Sequence, residues 1–235
     1  MNKQQPAQWM PEDWQKIWDG NAGRPDDLGA TGRGGMGVIG FLHTVISVAD
    51  LLNLSASDRL LDIGCGTGLL ALALSPCVAS VHGVDISEKM IQRAKDNCHT
   101  LSDITLSIGT LNNPDTVVLN YNKILVNSVL QYLPDLAAAF QSIGTIYDLL
   151  PAGGRALLAA NPDPRCKEIF WNKTFEGRDE KTRKRIIEQN EQTLWADPEE
   201  LASFATGLGF SAHFQPVTKQ IWQHCYMYDL ILDKP

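Results

Sequence analysis

Two rhythms of apolar residues alternate along this chain. Short apolar runs read as buried strands, and longer stretches with apolar positions three and four apart read as helices. From Val38 to Leu54 the helical spacing is carried by Ile39, Leu42, Ile46 and Ala49. Arg59–Ile63 then predicts a strand, residues 67–74 a helix stopped near Pro76, and Val78–Val84 a second strand. Ser87 is placed to cap a helix running through KMIQRAKDN. Ile104–Ile108 and Lys123–Val126 predict the third and fourth strands, Asp135–Leu150 a helix ended by PAGG, and Arg155–Ala160 a fifth strand. Asp197 caps a further helix, PEELASFATGL, closed by Gly209, and two last strands are expected near 210–218 and 221–232. This repeated strand–helix order predicts an α/β fold, a doubly wound and mostly parallel sheet with helices on both faces. Right-handed crossovers fix its winding.

The rhythm is absent in two places. Residues 9–18, WMPEDWQKIW, predict a short helix with Trp14 and Trp18 one turn apart. The Gly- and Asp-rich stretch after it, DGNAGRPDDLGATGRGGMG, predicts a mobile loop. Residues 161–194 are polar, charged and helical in tendency, and read as an insertion. The expected organisation is therefore an N-terminal lid helix, glycine-rich loop and first helix over 1–54, then a main domain over 55–235 with a cap at 161–194.

Composition narrows the class. Of 235 residues, 44% are hydrophobic and 20% charged, which suits an ordinary globular core. No apolar stretch approaches a bilayer span and the N-terminus has no signal-peptide core, so neither a membrane nor export is expected. A net charge of −7 argues against a general nucleic-acid binder. Five widely spaced cysteines match no zinc or redox spacing and read as reduced thiols in a cytoplasmic protein.

The candidate chemistry lies in LLDIGCGTGLLALAL, residues 60–74. Gly64, Gly66 and Gly68 follow a strand ending in Asp62. Glycine lets the backbone turn sharply and approach a ligand closely. A phosphate loop needs a Lys-Ser/Thr pair where Leu69 and Leu70 stand. The looser G-x-G-x-x-A form of a dinucleotide site is met by residues 66–71. The carboxylate of Asp62, however, suits a ligand with a cationic end better than a pyrophosphate. Asp62 as a simple cap of the turn is the plainer alternative.

LLDIGCGTG resembles the first motif of the class I S-adenosylmethionine-dependent methyltransferases, of the metal-free type acting on small molecules. VHGVDIS places Asp85 where that family keeps a second acid, suited to both ribose hydroxyls. NSVLQYLPD resembles the segment flanking the active site, and YMYDLILDKP a final strand pairing antiparallel at the sheet's edge. The resemblance covers roughly residues 55–160 and 197–235. It implies a Rossmann-like fold, S-adenosyl-L-methionine as cofactor, and cofactor contacts from Asp62, Gly64, Gly66, Gly68, Asp85, Ile86, Thr110, Leu111 and Asn127. Thr110 stands where the family usually has an acid for the adenine amino group. Relatives often cover the cofactor with an N-terminal segment, which makes Arg33 the candidate for the methionine carboxylate.

The acceptor is bounded by what is missing. NSVLQY after the fourth strand lacks the Asn/Asp-Pro-Pro-aromatic motif of enzymes that methylate nucleic-acid amines. No cysteine sits where a pyrimidine-attacking nucleophile is expected. Asn127 and Ser128 are poor Mg²⁺ ligands, so no metal is expected. A small-molecule acceptor remains. The reaction would be an in-line displacement needing alignment and at most one proton removed, with His43, Tyr132, His224 and Tyr226 as candidate bases. Residues 161–190 carry eight Lys/Arg against six Asp/Glu, which raises an acidic acceptor as an option. The other readings are a non-catalytic S-adenosylmethionine-binding partner subunit and an NAD-dependent dehydrogenase.

Overall fold

A computed structural model describes residues 10–113 and 120–235. Seven strands form one sheet in the order β3-β2-β1-β4-β5-β7-β6. They are β1 Arg59–Ile63, β2 Ser80–Asp85, β3 Ile104–Ile108, β4 Lys123–Asn127, β5 Arg155–Pro162, β6 Ser211–Pro216 and β7 Met227–Asp233. The first five run parallel, and β7 pairs antiparallel with both β5 and β6. The described helices are α1 Pro11–Asn21, α2 Asp27–Ala30, α3 Gly37–Leu52, α4 Leu69–Leu74, α5 Glu88–Cys98, α6 Leu136–Leu149, α7 Lys167–Phe175, α8 Glu180–Asn190 and α9 Pro198–Leu208.

The strands are apolar on both sides because both sides are covered. Leu60, Leu125 and Leu157 face α3 and α4, while their neighbours Leu61, Ile124 and Leu158 face α6 and α9. The period of two along each strand thus feeds two separate cores. The order reverses between β1 and β4, and that crevice is where an open α/β sheet binds ligands. The architecture is Rossmann-like.

Basic side chains stabilise the opposite end of the sheet. Buried Lys123 donates from Nζ to the carbonyls of Leu52 and Asn53 at 2.8 and 3.2 Å, closing α3. Arg155 grips Asp233 with two hydrogen bonds and also reaches the Leu51 carbonyl. Lys234 donates to Tyr147 and Leu150 at the end of α6. Each cation meets the negative end of a helix.

Four expectations are corrected. The segment expected as a mobile loop carries the one-turn helix α2, capped by Asp26 on the Gly29 N–H. Arg93 of α5 fastens the segment further: it donates to Asp27 and to the carbonyls of Ala22 and Arg24. The final strand β7 lies inside the sheet and β6 is the edge. Residues 222–225 form a 3₁₀ turn, so β7 begins only at Met227. Asn161 and Pro162, counted with the insertion, belong to β5. The short helix expected after Pro11 is α1, starting at Pro11; Trp9 of that stretch lies outside the described residues.

Gly68, expected at the cofactor, serves the packing of α4 on α5. It stands before α4 with φ +77°, and a Cβ there would meet the Ala94 Cβ at 3.1 Å and Cys98 Sγ at 3.2 Å. Gly68→Ala should cost about 1–3 kcal/mol, from the left-handed backbone and the crowding together. Urea denaturation that gives an unchanged stability would remove this role.

Candidate functional site

The turn after β1 is set by three left-handed glycines, with φ +77°, +56° and +77° at Gly64, Gly66 and Gly68. Gly64 and Cys65 donate to the Val84 carbonyl, which fastens the turn to the end of β2. A Cβ on Gly64 would lie 2.2 Å from Val129 Cγ2, so the chain after β4 approaches there too. A Cβ on Gly66 would lie 2.8 Å from Thr31 Cγ2, which brings in the N-terminal segment.

Two buried acids end the adjacent strands. Asp85 accepts from the Gly66 N–H at 2.8 Å and the Ser87 N–H at 2.9 Å. Burial raises its pKa, against those two hydrogen bonds. Asp62 on β1 is buried, and its Oδ2 accepts no hydrogen bond among the described residues. Burial pushes its pKa up to about 7; Arg33 pulls the other way and Asp85 adds to the rise. Asn127, ending β4, keeps its Nδ2 buried without a partner, while its carbonyl accepts from Arg33 Nη2 at 3.3 Å.

These groups line one cavity of about 360 Å³. Of the residues singled out in the sequence, Arg33, Asp62, Gly64, Gly66, Asp85, Ile86, Thr110, Leu111, Asn127 and Tyr132 are on its wall, and Gly68 is not. Thr110 shapes the turn after β3: its hydroxyl accepts from the Asn113 N–H at 3.1 Å. The neighbouring Asn112 takes the Ser142 hydroxyl at 2.6 Å.

The candidate bases separate. Tyr132 meets Trp14 at 4.6 Å and Trp18 at 5.3 Å between ring centroids, and burial raises its pKa. His43 on α3, His224 and buried Tyr226 do not line the cavity. His224 pairs through Nδ1 with the Ile221 carbonyl at 2.9 Å. The insertion's Arg183 and Arg185 are exposed and line no described cavity.

Sequence reasoning missed how the N-terminal segment is held. Asp19 accepts from Ser87 Oγ at 2.5 Å, which joins α1 to the loop carrying Asp85. Asn97 bridges Asp27 and the Thr67 carbonyl. Asp19, Asp27, Arg93 and Asn97 carry no local pattern, since their partners lie far away in sequence. Asp229 was missed as well, although a charge inside the apolar strand YMYDLIL is a readable signal.

The raised pKa of Asp62 has a measurable sign. The folded carboxyl keeps its proton up to about pH 7, whereas the unfolded chain releases it near its ordinary value of 3.8. Between the two the native state binds more protons, so stability falls as pH rises through that window. Asp62→Asn should flatten the pH 4–8 stability profile by roughly 2–4 kcal/mol. An unchanged slope in urea titrations would show that Asp62 is ionised throughout.

Comparison with known proteins agrees with this geometry. Residues 42–210 match the family described as a methyltransferase domain. A protein-L-isoaspartate O-methyltransferase of Roseiflexus sp. (strain RS-1) is 33% identical over 118 residues, 48% of this chain and 52% of that protein. A demethylmenaquinone methyltransferase of Tropheryma whipplei (strain Twist) is 29% identical over 133 residues, 54% and 53% of the two chains. The chain thus spans about half the length of these curated relatives. Among solved structures, the N-methyltransferase NodS of Bradyrhizobium japonicum WM9, in complex with S-adenosyl-L-homocysteine, shares the fold. Its TM-score is 0.68 at 16% identity, over 94% of this chain and 98% of that one. By the extent of the family match, this chain belongs to the methyltransferase-domain family.

Proposed function

We propose that the chain binds S-adenosyl-L-methionine in the 360 Å³ cavity and transfers its methyl group to a small-molecule acceptor. The observation that carries this is a pair of buried groups without partners among the described residues, Asp62 Oδ2 and Asn127 Nδ2, in two residues that line one cavity beside the glycine turn. A buried polar atom without a partner costs about 1–3 kcal/mol, which a ligand of matching polarity recovers. The unpaired acceptor at Asp62 suits an ammonium group. Arg33, on the same wall, suits a carboxylate. An amino-acid moiety carries both.

The remaining wall fits the rest of that cofactor. Asp85 has lone pairs left beyond the two N–H bonds it accepts, and these suit ribose hydroxyls. Ile86 and Leu111 offer apolar surface for a flat ring, with Thr110 and Asn112 beside them for its polar edge. When bound, S-adenosylmethionine supplies a methyl group on a cationic sulfur that is already a good leaving group. The protein's part is then alignment and exclusion of water. Trp14, Trp18 and Tyr132 cover the cavity with rings, and residues 10–36 act as its lid. The insertion's basic residues stand away from the cavity, so the reading keeps a small-molecule acceptor and drops the restriction to acids.

Calorimetry tests the cofactor, with S-adenosylmethionine expected to bind and NADH not; the reverse result would select the dehydrogenase reading. Asp85→Ala should weaken S-adenosylhomocysteine binding at least about tenfold, on the scale of one charged hydrogen bond. Retained affinity would place the ribose elsewhere. Arg93→Ala removes the grip on Asp27, Ala22 and Arg24 and should speed S-adenosylhomocysteine release several-fold in stopped-flow; an unchanged rate would mean the segment is no lid. A screen of small acceptors with a labelled methyl group tests turnover. Cofactor binding with no transfer to any acceptor would favour the non-catalytic partner instead.

A further inference from the structure

A second, smaller cavity lies on the other side of Arg33, Asn127 and Ser128, which line both. Its volume is about 30 Å³, room for one or two water-sized atoms. The strands that end there are β4, next in the sheet to β1, and β5 beyond it. Ser128, just after β4, has φ +58°, and Ala160, at the irregularity near the end of β5, has φ +55°. Two non-glycine residues in the left-handed region at adjacent strand ends mark a place where backbone cost is accepted.

The far wall holds Asp229 of β7 and Gln223 of the 3₁₀ turn before it. Asp229 is 4% exposed. The one hydrogen bond it accepts among the described residues is from the Ala160 N–H to Oδ1, at 2.9 Å. That bond serves the β5 irregularity between Leu158 and Asn161, where the register shifts. Among the described residues Oδ2 accepts no hydrogen bond and no cation lies within ion-pair distance. Arg33 is on this wall too, but it donates to the Asn127 carbonyl and its field acts on Asp62 and Tyr132 rather than on Asp229. Gln223 adds a buried amide oxygen with no partner among the described residues.

We propose that this cavity is a cation subsite, where Asp229 and Gln223 receive an N–H-bearing cationic group of the acceptor. Two hydrogen-bond acceptors, one of them a buried carboxylate without a counter-charge, call for a donor with positive charge. The size admits a group such as a primary ammonium and its attached carbon. Burial raises the Asp229 pKa to about 6, so the carboxylate is mostly ionised at neutral pH and its charge is unmet. The role in acceptor binding rests on the methyltransferase reading above; the cation site itself does not.

The test uses the full chain, ¹⁵N-labelled and saturated with S-adenosylhomocysteine, with methylammonium chloride as the probe. The Ala160 amide bonds Asp229 directly and reports its state. It should shift and saturate with methylammonium, and stay still with sodium acetate or potassium chloride at equal ionic strength. Asp229→Asn keeps an oxygen for the Ala160 N–H and loses the charge; it should raise the apparent dissociation constant at least tenfold. The proposal is overturned if acetate or potassium chloride moves Ala160 as far as methylammonium does. An equal response in Asp229→Asn overturns it too. The Gly66 amide, recorded before and after S-adenosylhomocysteine is added, reports the cofactor separately. A silent Gly66 with a responding Ala160 would sink the cofactor reading and keep the cation site; the opposite pair of results would do the reverse.

Discussion

The carboxylate of Asp85 ties the glycine turn to the start of α5 and, through Ser87, to α1. One oxygen receives the Gly66 N–H of the turn after β1, and the other receives the Ser87 N–H that leads into α5. Ser87 in turn gives its hydroxyl to Asp19 of α1 and accepts from the Met90 N–H as the cap of α5. The glycine turn can reach Asp85 because β1 and β2 are paired in register up to Ile63 and Val84. The cavity's floor, one wall and its cover are thus fixed relative to one buried charge. An acid at this position is costly to bury, and the two backbone donors are what make it tolerable.

Charge is sorted along the strands. At their starting ends Lys123 and Arg155 are paired with helix carbonyls, and Arg155 also with Asp233. Where β1 and β2 finish, Asp62 and Asp85 are buried, and Asp229, near the start of antiparallel β7, lies at the same side of the sheet; burial raises the pKa of all three. The first set is satisfied within the protein and gives stability. The second is only partly satisfied, and strained or left-handed backbone gathers around it at Gly64, Gly66, Ser128 and Ala160. Perturbed acids and costly backbone at the same end of one sheet are the usual physical mark of a functional face.

The fold was readable because each strand and helix declares its own period. LLDIG, VHGVD and KILVN are apolar runs bounded by turns, and Ser87, Asp135 and Asp197 each cap the helix expected of them. What could not be read depends on distant partners. The segment after α1 looks mobile by its glycines, yet it is held by Arg93, which lies in α5. Gly68 looks like the third member of a ligand turn, yet its missing Cβ makes room for Ala94 and Cys98. The place of β7 between β5 and β6 follows from pairing choices that local pattern does not encode. His43 and His224 drew notice as titratable residues, and helix and turn geometry carry both away from the cavity. Asp229 does stand out within the apolar strand β7, but only the fold brings it to the second cavity.

A likeness of 16% in sequence to a solved structure carries the scaffold and little else. Several residues that line the two cavities come from outside the central strands. Trp14, Trp18, Thr31 and Arg33 precede β1, and Gln223 and Asp229 belong to the last hairpin. The two ends of the chain therefore meet over the middle of the sheet, with Arg33, Asn127 and Ser128 as the wall between the two cavities. Five parallel strands fix the floor to which both ends are fastened. The last hairpin is also part of the cores, through Tyr228, Leu230 and Leu232 on one face and Ile231 on the other, whereas Trp14, Trp18, Thr31 and Arg33 serve the cavities.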